Sequence, residues 1–83
     1  MAGKFDKVEA AIKYLQEDPS APRSVREKLN AITQYLKQPV DDSTKIATIL
    51  SDIEELCMDV NIPPFVRTQL YSISGILESL GNE

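Results

Sequence analysis

The sequence predicts an all-α fold: four amphipathic helices arranged as two similar antiparallel helical hairpins that close into a four-helix bundle. Three observations carry this. Apolar residues recur at spacings of three and four along nearly the whole chain, with no competing stretch of β-branched alternation. Proline-containing breaks interrupt that pattern at three places. The pattern of the first half then reappears in the second half at an offset of 41 residues.

The first helix is expected over about Lys4 to Glu17, with Phe5, Val8, Ile12 and Leu15 on one stripe. The break Asp18-Pro19-Ser20-Ala21-Pro22 ends it, because proline suits a first helical turn but not a helix interior. The second helix should run from about Pro22 to Lys37 and carry Val25, Leu29, Ile32 and Leu36. Gln38-Pro39-Val40-Asp41-Asp42-Ser43 separates the two halves and offers Asp42 or Ser43 as an N-cap. A third helix, about Ser43 to Met58, presents Ile46, Ile49, Leu50, Ile53, Leu56 and Cys57. After Val60-Asn61-Ile62-Pro63-Pro64, a fourth covers about Pro63 to Leu80 with Val66, Leu70, Ile73, Ile76, Leu77 and Leu80. Gly81 stands where a left-handed C-terminal residue would be wanted. Loops this short make neighbouring helices antiparallel. The chain is expected to form a single domain over 1–83, with hairpins at 4–37 and 43–80.

The internal repeat goes beyond shared amphipathicity. Lys4, Ile12, Leu15, Asp18, Pro22, Val25, Arg26, Leu29, Ile32 and Leu36 recur as Lys45, Ile53, Leu56, Asp59, Pro63, Val66, Arg67, Leu70, Ile73 and Leu77. Two similar apolar stripes explain the aliphatic matches but not the matched Asp, Pro and Arg. The unit Leu-x-x-Asp-x-x-x-Pro-x-x-Val-Arg-x-x-Leu-x-x-Ile resembles a HEAT-type repeat, and a period of 41 fits the roughly 40–47 residues of such units. HEAT-like arrays generally need three or more units to bury their faces. Two units must instead close on each other as a bundle, or bury a face against a second chain.

Taken whole, the chain resembles the small archaeal proteins of uncharacterised family 0147. The resemblance rests on the segments Glu17 to Arg26 and Asp59 to Thr68 and on the closing Ile76-Leu77-Glu78-Ser79-Leu80, and it spans about Val8 to Leu80. It implies an all-helical four-helix domain without an assigned activity, and it supplies no catalytic residue.

Composition excludes several chemistries. With no histidine there is no Ser-His or Cys-His pair and no histidine-ligated zinc. One cysteine forms no internal disulfide. The N-terminal residues carry no apolar signal segment, and no run approaches the roughly 20 apolar residues of a membrane span. The expectation is a soluble, cytoplasmic protein with no membrane partner. A net charge of −4 argues against the usual electrostatic route to nucleic acid, which makes a nucleic-acid accessory role the third reading. That charge is unevenly held: residues 1–40 sum to +2 and residues 41–83 to −6. The plain reading is random scatter over two exposed surfaces; the sharper one is that the mildly basic first hairpin faces the acidic second one, within the chain or across a dimer.

Asp18 with Arg26, and Asp59 with Arg67, are the best polar candidates outside the core. As scaffold, each Asp accepts loop amides and each Arg anchors its hairpin by a charge-assisted bond. As function, the pairs form a duplicated small-molecule or metal site, the alternative reading. Cys57 falls on the apolar side of its helix and is expected to be buried and inert, with nearby Glu54, Glu55 and Asp59 raising its pKa. Asp52, Glu54, Glu55 and Asp59 read as a solvated acidic face. Tyr71, Ser72, Gly75, Ile76 and Ser79 on the fourth helix are the candidate dimer seam, because small residues three and four apart let another helix approach closely. The favoured reading is a non-catalytic interaction or scaffold protein, a homodimer with an unidentified protein partner as a further option, using no cofactor and no metal.

Overall fold

The computed structural model describes residues 3–81, and four α-helices account for most of them: α1 (Asp6–Gln16), α2 (Arg23–Leu36), α3 (Asp42–Cys57) and α4 (Pro64–Gly81). Each expected helix is present, with ends displaced by one or two residues for local reasons. Helix α1 starts later than expected because residues 4 and 5 form a turn, in which the Asp6 carboxylate accepts the Gly3 N–H at 2.8 Å. Helix α2 begins at Arg23 because Pro22 is extended (φ −62°, ψ 154°) and caps the helix only through its carbonyl, which accepts from the Arg26 N–H. The N-cap of α3 is Asp41, neither Asp42 nor Ser43: its Oδ2 accepts from the Thr44 N–H at 3.3 Å, so the helix opens one residue early. Gly81 does not take a left-handed conformation. It continues α4, and no described glycine has positive φ.

The helices close into a ring, each packed on two neighbours: α1 on α2 and α4, and α3 on α2 and α4. The diagonal pairs, α1 with α3 and α2 with α4, bring no Cα atoms within 8 Å of each other. Of the two arrangements open to a pair of hairpin units, this is closure of one hairpin on the other. The result measures 33 × 22 × 17 Å. The hairpin loops 17–22 and 58–63 both lie at one end of the ring, and the α2–α3 connection lies at the other.

Inside the ring lie Val8, Ile12 and Leu15 of α1, Val25, Leu29, Ile32 and Leu36 of α2, Ile46, Ile49 and Ile53 of α3, and Val66, Leu70, Ile73 and Leu77 of α4, all buried. These are the sequence stripes. Phe5, Leu50, Leu56, Cys57, Ile76 and Leu80, expected on the same stripes, are half-buried at their margins. Two buried residues come from outside any helix: Ala21 and Ile62, again 41 apart, each the last loop residue before a capping proline position. They plug the loop end of the core.

One buried charge crosses the opposite end. Lys45 is 7% exposed, and its Nζ donates to the Leu36 carbonyl at 2.9 Å while lying 5.4 Å from the centre of the Phe5 ring. Leu36 is the last residue of α2, whose final carbonyls have no intrahelical donors. An ammonium there satisfies one and complements the negative end of the helix dipole.

Candidate functional site

Both Asp/Arg pairs sit at the same end of the ring, each Asp in a hairpin loop and each Arg in the first turn of the helix that follows. In the first loop, Asp18 Oδ1 accepts from the Ser20 N–H at 2.8 Å and from the Ser20 hydroxyl at 2.6 Å. Arg26 Nη2 donates to the carbonyls of Asp18 and Pro19 at 3.4 and 3.3 Å. In the second loop, Asp59 Oδ1 accepts from the Asn61 N–H at 2.9 Å, and Arg67 Nη2 donates to the Asp59 carbonyl at 2.9 Å. The Asp18 and Asp59 carbonyls also accept from the Ala21 and Ile62 N–H groups. Three of these bonds recur 41 residues apart, while the Ser20 hydroxyl and Pro19 carbonyl bonds belong to the first loop alone. Each arginine bonds backbone carbonyls of its own hairpin, and neither guanidinium pairs with its aspartate's carboxylate.

The two loops are not identical in environment. The Ser20 hydroxyl, then the Ser20 amide, hold the Asp18 carboxyl below the ordinary carboxylate range, with the Arg26 charge a weaker contributor. Arg67 is more enclosed than Arg26, and its Nε is buried with no hydrogen-bond partner. Every hydrogen bond formed by these aspartates and arginines stays inside its own hairpin, each carboxylate through one oxygen and each guanidinium through one nitrogen. Among the described residues, no grouping of three or more Cys, Asp or Glu is placed to hold a metal ion.

The acidic residues of α3 separate around the helix. Asp52 and Glu55 turn toward α2, where Lys28 Nζ reaches them at 3.3 and 3.9 Å. Glu54 turns toward α4. With Lys4 to Asp42 at 3.7 Å, every ion pair between the halves, among the described residues, joins a lysine of the first half to a carboxylate of the second. The uneven charge is therefore spent partly within the chain. These pairs are partly exposed and each contributes on the order of 0–1 kcal/mol.

Cys57 is half-buried rather than fully enclosed. Burial pushes its thiol up, Arg67 opposes the rise, and Glu54 adds to it. Of the three carboxylates expected to act on it, only Glu54 does so.

The outer side of α4 is a weakly charged surface. Between Arg67 and Glu78 the helix carries no charge, and Thr68, Tyr71, Ser72, Gly75 and Ser79 are exposed. A methyl group built on Gly75 would meet nothing within 4 Å. Two shallow grooves run beside this ridge. The groove toward α1 is lined by Lys7, Ser72, Gly75, Ile76, Ser79 and Leu80. The groove toward α3 is lined by Glu54, Cys57, Met58, Tyr71, Ser74 and Glu78. Four of the five residues singled out as a seam share the first groove. Tyr71 belongs to the second, because neighbouring helical positions diverge by about 100°. Sequence reasoning missed Met58, which is 79% exposed at the α3 terminus. Its only sequence signal is an apolar residue just past the last stripe position.

Over residues 1–80 the sequence matches the family described as "Uncharacterised protein family (UPF0147)". The chain belongs to that family. Among relatives, a UPF0147 protein of Methanothermobacter thermautotrophicus is 34% identical over 77 residues, covering 92% of this chain and 76% of the relative. A UPF0147 protein of Thermoplasma volcanium is 32% identical, covering 92% of this chain and 86% of its own. The crystal structure of a UPF0147 protein from Thermoplasma acidophilum superposes with a TM-score of 0.85 at 32% identity, over 93% of this chain and 92% of that one. The family resemblance and the all-α fold read from the sequence both hold, and the biochemical function of UPF0147 proteins is unknown. No described helix of this UPF0147 chain is long and apolar enough to cross a membrane.

Proposed function

We propose that this UPF0147 protein is a non-catalytic interaction or scaffold module of the cytoplasm that acts as a homodimer through the outer side of α4. The observation that carries the reading is that helix's exposed face, uncharged from Thr68 to Leu77, with Tyr71 59% exposed and Gly75 open to close approach. A helix serving only as outer wall would ordinarily be studded with charge there. The absence of histidine and the inward use of the Asp18/Arg26 and Asp59/Arg67 groups support a scaffold over a catalyst or a ligand-binding module.

Light scattering on a sizing column tests the dimer, with a mass near twice 9.3 kDa expected at micromolar concentration. A thermal-shift panel of metals and metabolites tests the ligand alternative, and the expected outcome is no stabiliser. A ligand whose stabilisation disappears in Arg67→Met would replace the scaffold reading with the ligand one.

A further inference from the structure

The two grooves beside α4 differ in charge. The α1-side groove carries Lys7, and the α3-side groove carries Glu54 and Glu78 with no basic residue along it. None of these three has an ion-pair partner among the described residues. Lys7 shares its groove with Ser79 and Leu80, so it stands level with Glu78 but on the opposite flank of the helix. The geometry points to one docking arrangement, which rests on the homodimer reading: a second copy of this chain packs α4 on α4 about a two-fold axis running along the helices, and Lys7 of each copy meets Glu78 of the other.

Charge selects that axis over its alternative. A two-fold axis along the helices carries the α1 flank of one copy onto the α3 flank of the other without changing its level, so Lys7 faces Glu78 twice. A two-fold axis across the helices near Gly75 sets like flanks together and inverts their levels. It would place Glu54 of one copy beside Glu78 of the other, two carboxylates without a cation between them. Like charges opposed at an interface are unfavourable, and complementary ones fix register and orientation. The lengthwise arrangement also closes, since an isologous two-fold contact leaves no second sticky surface to propagate. The ridge between the charged flanks, Thr68, Ser72, Gly75 and Ser79, is small enough for the two α4 backbones to approach closely, and Tyr71 with Met58 borders the contact.

Charge exchange tests the arrangement. Lys7→Glu, Glu78→Lys, the double variant and an equimolar mixture of the two single variants are compared with the parent by sedimentation velocity at low salt. Each single variant replaces two attractions by two repulsions and is expected to weaken the dimer by about tenfold or more. The double variant and the mixture each restore opposite charges across the seam and should recover parental affinity. Recovery in the mixture also shows that neither single variant is merely misfolded. A parent that dimerises while the single variants dimerise equally well overturns the lengthwise arrangement and leaves the homodimer standing. A parent that stays monomeric throughout overturns both.

Discussion

Lys45 offers the sharpest test of how the ring is held at the end away from the hairpin loops. The perturbation is Lys45→Met, which keeps an unbranched apolar stem and removes the ammonium. Three interactions disappear: the 2.9 Å bond to the Leu36 carbonyl, the complement to the α2 dipole, and the contact with the Phe5 face. A hydrogen bond to a charged group contributes about 1.5–3 kcal/mol, and the dipole and cation–π contributions about 0.3–1 kcal/mol each. Against these stands relief from holding a nearly enclosed ammonium, which offsets part of the sum. The bond dominates, because methionine also leaves the carbonyl without its donor. A net loss of about 1–3 kcal/mol is expected, and a domain of this size loses roughly 4–8 °C in Tm per kcal/mol. Thermal unfolding followed by far-UV circular dichroism should therefore show Tm falling by on the order of 10 °C. Lys4→Met is the matched control at the equivalent repeat position. Its ammonium is exposed and reaches Asp42 only at 3.7 Å, so its loss should stay within about 0.5 kcal/mol. Equal effects at the two positions, or a Tm unchanged by Lys45→Met, would refute the capping role.

The other predictions concern the core, the first loop and the thiol. Ile12→Ala and Ile53→Ala, both fully buried and 41 residues apart, should each cost about 2–5 kcal/mol in urea unfolding, and a loss below about 1 kcal/mol at either would contradict a shared, tightly packed core. Asp18 has a lowered pKa in the folded protein, so its contribution to stability is full above the ordinary carboxylate range near pH 4 and is lost as pH falls further. Asp18→Asn should accordingly flatten the acid limb of the stability–pH curve below pH 4, and an unchanged limb would remove Asp18 from the account. Cys57, half-buried and with its thiol pushed up, should react with a thiol reagent near neutral pH more slowly than a free thiol and approach it in urea. Native labelling at the rate of a small thiol would contradict that environment.

The helices were legible because their signal is redundant: each stripe repeats three or four times at helical spacing, and prolines mark the gaps. Ala21 and Ile62 were not, since a loop residue's burial depends on how the chain turns over the core and no periodicity reports that. Lys45 was matched to Lys4 in the repeat, yet pattern alone hides its difference. Its burial arises because α2 ends beside it, whereas Lys4 precedes its helix and faces solvent. The Asp/Arg motifs were recognised as a pair, but a spacing of eight residues does not say whether a guanidinium will meet a carboxylate or a backbone carbonyl. The α4 face was recognised in outline, and its division into two grooves required the positions of α1 and α3. The charge asymmetry was visible in the halves, while its pairing through Lys28 and Lys4 became definable only once α2 lay against α3 and residue 4 against the start of α3.

The proposed dimer requires that α4 keep an uncharged outer face for a second copy of the chain. Sedimentation equilibrium of the parent protein over a wide concentration range tests it most directly. The expected result is a reversible dimer of twice 9.3 kDa that weakens when Gly75→Glu places a charge in the middle of the ridge. A constant mass of 9.3 kDa at every concentration would contradict it.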